Sequence, residues 1–289
     1  MLNKLLVILG PTSSGKTGLS IKIAKKFNGE IISADSIQVY EGMDIGSGKV
    51  TKKEMRGIPH YLLDIASPKR KFTVTQYRKL ALKAVKDIQK RNKLPILVGG
   101  TAFYIYSVID GITIPEVKAD WKLRRQLEKR KDLYGFLKKL DPQRAKTIDK
   151  DNPRRLIRAI EIVLKTKKPV PKTKYNPIES EVLIIGINKN NLKELIRKRL
   201  LKRLKNGLVA EVKRLKSIVS WKRLEEFGLE YRFAAQYLQR KIDKKTMINK
   251  LEKEIQQFAK KQMTWFKKDK RIKWVKDYKE SEKLLKKFL

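Results

Sequence analysis

The chain has 289 residues, 41% of them hydrophobic, enough to bury a core in one large domain or in a core with an insertion, which excludes a disordered basic tail. It has no Cys, which excludes a disulfide framework and any Cys-based zinc module, and no apolar run approaches the roughly 20 residues of a membrane span. Lys and Arg total 71 against 30 Asp and Glu, a net charge of +41 that points to a polyanionic partner, although Lys is so widely spread that a Lys-rich background explains it equally well at this stage.

In chain order, Leu5-Leu6-Val7-Ile8-Leu9 reads as a buried parallel strand. A chain that starts on a strand shows no signal-peptide pattern, and the expectation is a cytoplasmic protein without a membrane segment. Directly behind this run, Gly10, Pro11, Thr12, Ser13, Ser14, Gly15, Lys16 and Thr17 fit G-x-x-x-x-G-K-[ST]. Such a loop carries a buried strand into a helix and wraps a diphosphate in backbone N–H groups. Leu19, Ile23, Ala24 and Phe27 give residues 18–27 the apolar spacing of that helix. The loop therefore implies a pyrophosphate-bearing ligand without identifying it.

A second strand over residues 31–34 runs into Asp35, Ser36, Ile37 and Gln38. In a parallel α/β sheet, ligands bind beyond the carboxyl ends of the strands, so Asp35 faces the same crevice as the phosphate loop. The competing reading of Asp35 is a helix cap or turn residue. Gly42, Gly46 and Gly48 mark residues 41–49 as a loop, and residues 57–65 are extended and carry the only His, His60, read as structural rather than as a base. Residues 73–91 have a helical apolar face through Tyr77, Leu80, Ala81, Ala84, Val85 and Ile88. The third strand, residues 94–98, exits through Gly99-Gly100-Thr101 and offers no carboxylate where a P-loop ATPase holds its metal, which weakens a nucleotide-hydrolysis reading.

Past Gly111 the pattern becomes helical and highly charged. A helix near residues 121–130 carries Arg124 and Arg125. A second, capped by Asn152 and opened by Pro153, buries Leu156, Ile157, Ile160, Val163 and Leu164 and turns Arg154, Arg155 and Arg158 outward. This Arg-bearing face is either a solvated surface or an RNA contact. A Pro- and Lys-rich connector over residues 169–177 leads to a strand at residues 182–187 that returns to the sheet. Helices at 192–206, 208–215 and 246–266 and a short strand at 272–275 complete the chain. In the 246–266 helix, Ile248, Leu251, Ile255, Phe258, Ala259 and Gln262 line the inner stripe. The expected architecture is α/β: a P-loop NTPase-like core with a parallel sheet flanked by helices (residues 1–114), a helical insertion (115–178), and a return to the core with a mostly helical C-terminal part (179–289).

Taken together, the ordered segments resemble the tRNA dimethylallyltransferase (isopentenyltransferase) family of bacterial type. They are residues 10–17, Ile32-Ser33-Ala34-Asp35-Ser36-Ile37-Gln38-Val39-Tyr40, Gly42-Met43-Asp44-Ile45-Gly46, Gly57-Ile58-Pro59-His60 with Leu62-Leu63-Asp64, and Val98-Gly99-Gly100-Thr101 with Tyr104. Leu140-Asp141-Pro142, residues 154–159, Gly207-Leu208 with Glu211-Val212, and Lys261-Gln262-Met263-Thr264-Trp265-Phe266 follow. The resemblance implies transfer of a dimethylallyl group from dimethylallyl diphosphate to the exocyclic amine of the adenosine next to the tRNA anticodon. It implies Asp35 as the proton acceptor, with Thr101 positioning the adenine or its departing proton. Residues 10–17 bind the diphosphate, with Mg²⁺ held partly by Thr17. A flipped adenosine meets Asp35, Ser36, Ile37, Gln38 and Thr101, while Arg124, Arg154, Arg155 and Arg158 clamp the anticodon stem-loop. The absence of Cys agrees with a bacterial type without a zinc-finger extension.

Four segments depart from the family pattern: Gly46-Ser47-Gly48-Lys49-Val50, Gly228-Leu229-Glu230-Tyr231-Arg232, residues 188–191, and Gln256. The last two lack an Arg expected to contact the diphosphate, and Arg199, Lys260 and Lys261 are the cations that could stand in. The rival readings are a P-loop small-molecule kinase and a tRNA-binding relative with weakened catalysis. A monomer is expected.

Overall fold

The computed structural model of the protein describes residues 3–112, 115, 117–171 and 175–289. Residue 114, where the first part of the core was expected to end, and residues 172–174 of the connector lie outside the described residues.

Six parallel strands form one sheet: β1 (Lys4–Leu9), β2 (Gly29–Ala34), β3 (His60–Tyr61), β4 (Leu94–Gly99), β5 (Glu181–Ile187) and β6 (Lys273–Val275), in the spatial order β3-β2-β4-β1-β5-β6. The continuous apolar run of β1 reflects burial on both faces, and its residues 5–9 are fully shielded from solvent. The register sets the carboxyl ends level: Ala34 pairs with Gly99, Gly99 with Leu9, and Leu9 with Gly186. The segments that follow β2, β4, β1 and β5 therefore emerge side by side along one edge. Adjacent strands lie ~4.8 Å apart, so the exits of β2 and β1 are about 10 Å apart.

Around the sheet pack α1 (Lys16–Lys26), α2 (Lys52–Met55), α3 (Val74–Lys90) and α4 (Ala102–Ile109). The first residues of α3 are fixed by a reciprocal cap, in which Thr73 Oγ1 accepts from Gln76 N–H and Gln76 Oε1 from Thr73 N–H. One core cluster joins Leu6, Ile8, Ile23, Ile31, Ile96 and Ile185 between the sheet and its helices. At the opposite end of the sheet from the crevice, the buried Glu30 carboxylate is saturated by Arg91, Lys93 and Tyr61, and these hold it down at about 2.

Residues 1–110 and 177–289 make one compact unit and residues 111–176 a second. The second consists of α5 (Trp121–Glu128), α6 (Leu133–Leu140), α7 (Pro142–Thr147) and α8 (Pro153–Thr166) around its own core of Leu127, Leu137, Ala145, Leu156, Ile157 and Ile160. Asn152 Oδ1 accepts from Arg155 N–H and Pro153 opens α8, as its sequence predicts. The first unit is completed by α9 (Leu192–Lys205), α10 (Leu208–Lys216), α11 (Trp221–Glu226), α12 (Leu229–Leu238), α13 (Lys244–Phe266) and α14 (Tyr278–Phe288). Among the described residues, no helix is long and apolar enough to cross a membrane.

One expectation on α13 is corrected. Phe258 does not belong to the inner stripe and is 45% exposed. The helix is rotated so that Met247, Leu251, Ile255, Ala259, Gln262 and Phe266 face inward. Phe258 lies about 100° from Ala259 around the helix and is carried out of the contact.

Candidate active site

The crevice forms where β1, β2 and β4 end. The phosphate loop after β1 takes the strand-loop-helix form its sequence predicts, with α1 starting at Lys16. Lys16 Nζ donates to Gly10 O (2.9 Å) and Pro11 O (2.7 Å), which holds the ammonium against the loop. Ser14 Oγ is buried and has no hydrogen-bond partner among the described residues. The Thr17 side chain is exposed at the first turn of α1.

Asp35 leaves β2 and takes the turn role that one of its two readings requires. Its Oδ1 accepts from Ile37 N–H (2.8 Å) and Gln38 N–H (3.3 Å), fixing the turn over residues 35–38. Its Oδ2 takes no hydrogen bond among the described residues. Thr101, at the start of α4, is joined to this turn because its Oγ1 accepts from Ser36 N–H (3.2 Å). Gln38 is half-buried beside them; its Oε1 accepts from Ser33 Oγ–H and its Nε2 donates to Gly48 O. The structure thus brings Asp35, Ser36, Ile37, Gln38 and Thr101 together. Tyr77 and Tyr104 stack behind them with ring centroids 3.9 Å apart, and burial, with the Asp35 charge among the lesser causes, pushes both phenols up.

Two polar residues that the sequence left without a role build the crevice. Gln262 of α13 is buried and bridges two of its walls: Oε1 accepts from Thr12 N–H (2.9 Å) and Nε2 donates to Gly100 O (2.8 Å). A Cβ on Gly100 would stand 2.5 Å from that Nε2, so glycine is what allows the approach. The sequence signals for Gln262 were a polar side chain on an otherwise apolar helical stripe and its place in the family-like segment 261–266. Glu211 of α10 accepts from three successive N–H groups, of Asp44, Ile45 and Gly46, and from Tyr231 OH, which locks the loop over residues 44–46.

Arg199 of α9 is the second cation of the crevice. Its Nη2 donates a long hydrogen bond to Gly48 O (3.5 Å), and it forms no ion pair among the described residues. Burial first, then the nearby Arg203 charge, lowers it to about 10, while Glu230, Asp35 and Glu54 act in the other direction. Arg203 is paired with Glu230 (Nη1–Oε1 2.5 Å). Lys16 answers the same field. Burial pulls its ammonium down to about 7, the Arg199 charge adds to the depression, and Asp35 opposes it. Two cations confined together, neither in an ion pair among the described residues, suit an anion. Of the stand-ins considered for the missing arginines, Arg199 reaches the crevice, whereas Lys260 and Lys261 are exposed on α13.

Among the described residues no group of three or more His, Asp or Glu could hold a metal. The donors present, the Thr17 hydroxyl and the crevice carboxylate, suit a hard cation that takes most of its oxygens from phosphate and water. His60 sits on β3 with Nδ1 against Ile58 O (2.8 Å), and burial lowers it, which is a structural role.

In the second unit, Arg158 does not stand free on the outer side of α8. It and Arg124 converge on Glu161, which is fully buried: Arg124 Nη2 lies 2.6 Å and Arg158 Nη1 2.5 Å from Oε2, and Asp120 N–H donates to Oε1. Arg158 Nη2 also donates to Pro115 O and Val117 O. A carboxylate buried in this small core attracted the two cations, and the apolar periodicity used to place them could not register it. Arg154 and Arg155 are exposed.

A family model described as IPP transferase matches residues 38–269. The chain is 41% identical over 301 residues to the tRNA dimethylallyltransferase of Thermoanaerobacter sp. (strain X514), an alignment covering 98% of this chain and 95% of that one. Among solved structures it is similar to the full-length tRNA isopentenylpyrophosphate transferase of Bacillus halodurans, with TM-score 0.73 and 34% identity over 99% of this chain and 95% of that one. It is also similar to a eukaryotic dimethylallyltransferase acting on tRNA, with TM-score 0.75 and 28% identity over 91% of this chain and 69% of that one. A likeness that runs the length of the chain, and includes the loop after β1 and the turns after β2 and β4, leaves one conclusion: the chain belongs to the tRNA dimethylallyltransferase (IPP transferase) family.

Proposed function

We propose that this protein transfers a dimethylallyl group from dimethylallyl diphosphate to the exocyclic amine of the adenosine 3′-adjacent to the tRNA anticodon and releases pyrophosphate. The observation that carries this reading is the crevice itself. A carboxylate with one oxygen uncommitted lies on the same row of strand ends as a phosphate loop, with Lys16 and Arg199 close enough for their charges to act on one another.

The amine nitrogen attacks the first carbon of the dimethylallyl group as the bond from that carbon to the diphosphate oxygen breaks. The amine is a weak nucleophile because its lone pair is delocalised into the purine, so its proton must leave as the new bond forms. Asp35 Oδ2 accepts it, while Oδ1 stays fixed by the 37 and 38 amides. Thr101 Oγ1 holds the turn through Ser36 N–H and offers its hydroxyl proton to the adenine. The charge that develops on the departing pyrophosphate meets the amides of residues 10–17, the Ser14 hydroxyl, Lys16 and Arg199. Mg²⁺ bound through Thr17 and the phosphates would add electrostatic stabilisation of that leaving group. The exposed Arg154 and Arg155 contact the RNA, and Arg124 and Arg158 support them by building the α5–α8 unit around Glu161. We take the working form to be a monomer in the cytoplasm. A kinase reading lacks the metal-holding carboxylate after β4, where this chain has Gly99-Gly100-Thr101.

The test is to incubate the protein with dimethylallyl diphosphate, Mg²⁺ and unmodified tRNA carrying adenosine at that position, and to analyse the nucleosides by mass spectrometry. Prenylated adenosine is expected, with Asp35→Ala losing at least 100-fold in turnover while tRNA affinity stays within about threefold. Unmodified tRNA with the wild-type protein, or full activity in Asp35→Ala, refutes the assignment.

A further inference from the structure

Three large aromatic side chains of the first unit lie in solvent close to the crevice: Phe103 (44% exposed), Phe258 (45%) and Trp265 (45%). Phe258 and Trp265 are seven residues apart on α13, two turns of helix, and so project from one face about 10 Å apart. Gln262 lies between them in the sequence and is bonded to Gly100 and Thr12, which ties this stretch of α13 to the crevice wall.

Phe103 belongs to the same place. The contacts between α4 and the end of α13 ascend together: Gly100 bonds Gln262, the Asp269 charge acts on Tyr106, and Asp110 pairs with Arg271. That order sets Phe103 abreast of residues 265 and 266, two positions beyond Thr101. None of the three rings has an aromatic or cationic partner among the described residues. The surrounding cations are exposed too: Lys260, Lys261, Lys267 and Lys268 form no ion pair among the described residues.

Exposed rings on a rigid helix with unneutralised lysines between them match unpaired nucleobases joined by phosphates, because every base offers a face to stack and every linkage a charge. An apolar protein partner would leave the lysines unmatched. We infer that Phe103, Phe258 and Trp265 form a stacking platform for the unpaired nucleotides that flank the target adenosine, at the rim of the crevice. The inference rests on the transferase reading above and adds to it a contact surface outside the α5–α8 unit. A base withdrawn from its stack leaves its neighbours with exposed faces, and the platform receives them.

Binding of a fluorescein-labelled anticodon stem-loop tests this directly, by anisotropy at several salt concentrations, with Trp265→Ala, Phe103→Ala, Phe258→Ala, Trp265→Phe and Lys261→Ala. Trp265→Ala and Phe103→Ala are expected to weaken binding by between about 5- and 150-fold with an unchanged salt slope, while Trp265→Phe retains most of the affinity. Lys261→Ala should instead lower the slope by about one. The kinetic signature is a raised KM for RNA with the KM for dimethylallyl diphosphate unchanged. Replacing the flanking nucleotides by abasic sites should abolish the difference between Trp265→Ala and wild type. Affinity of both alanine variants within twofold of wild type, with prenyl transfer intact, overturns the platform and leaves the transferase reading standing. Ring-dependent binding without any prenyl transfer by the wild type does the reverse.

Discussion

Lys16 gives the sharpest link between the geometry and a measurement. In the free protein its ammonium is pulled down to about 7, first by burial and then by Arg199. A bound diphosphate would supply the negative charge that both cations lack and return Lys16 toward its ordinary value of about 10.4. At pH 6 roughly nine-tenths of the free protein carries the charged form, and at pH 8 roughly one-tenth does. Affinity for inorganic pyrophosphate should therefore fall about fivefold between pH 7 and 8 and about 50-fold between pH 7 and 9. Titration calorimetry from pH 6 to 9 measures this. Lys16→Arg is the reference, because its guanidinium stays charged throughout and the ratio of the two affinities cancels the protonation of pyrophosphate itself. Arg199→Gln supplies the second arm: removing the neighbouring charge should move the wild-type midpoint to higher pH while weakening binding overall. The free protein responds in the opposite sense. Its folded form binds fewer protons than the unfolded chain between pH 7 and about 10.4, so its stability should rise with pH across that window. A flat wild-type to Lys16→Arg ratio from pH 6 to 9 would refute the coupling.

Two further substitutions probe how the crevice and the second unit are built. Gly48 has φ +63°, and a Cβ there would lie 2.1 Å from Arg203 Nη2 and 2.2 Å from Arg199 Nη2. Gly48→Ala should cost about 1 kcal/mol of stability from the backbone, seen as a lowered Tm, and should raise the KM for dimethylallyl diphosphate about tenfold by displacing Arg199, leaving the KM for tRNA unchanged. Glu161→Gln removes the charge that holds Arg124 and Arg158; with both arginines keeping an edge in water, the loss should be about 3 kcal/mol, the low end for a broken buried pair. Hydrogen exchange should locate that loss in residues 111–176, and pyrophosphate affinity, which belongs to the other unit, should not change.

What could be read from the sequence follows from how local each signal is. The strand before the phosphate loop, the loop, the helix after it and the cap of α8 are short-range patterns that took their predicted form, although α1 starts at Lys16, two residues before the apolar spacing marked it. Asp35 and Thr101 were legible because parallel strands deliver their carboxyl ends to one edge, a rule that needs no knowledge of strand order. The pairing of Arg124 and Arg158 with Glu161, and the outward turn of Phe258, were not legible. Both depend on which of two adjacent helical faces meets a neighbour, and a rotation of under a third of a turn decides that.

Two of the departures from the family pattern are separate in sequence and meet in space. The Gly46–Gly48 stretch and residues 228–232 meet each other. A Cβ on Gly46 would stand 2.6 Å from the Tyr231 ring, whose hydroxyl accepts from Ser47 N–H and donates to Glu211. Beside it, Gly48 leaves room for the ends of Arg199 and Arg203, and Glu230 holds Arg203. Side chains at 46 and 48 would exclude the Tyr231 ring and displace both guanidinium groups. Tyr231 and Glu230 therefore occupy the space and balance the charge that the two glycines make available, and Arg199 forms no ion pair among the described residues. The two stretches form one wall of the first unit, and Arg199 stands on it near enough for its charge to act on Lys16.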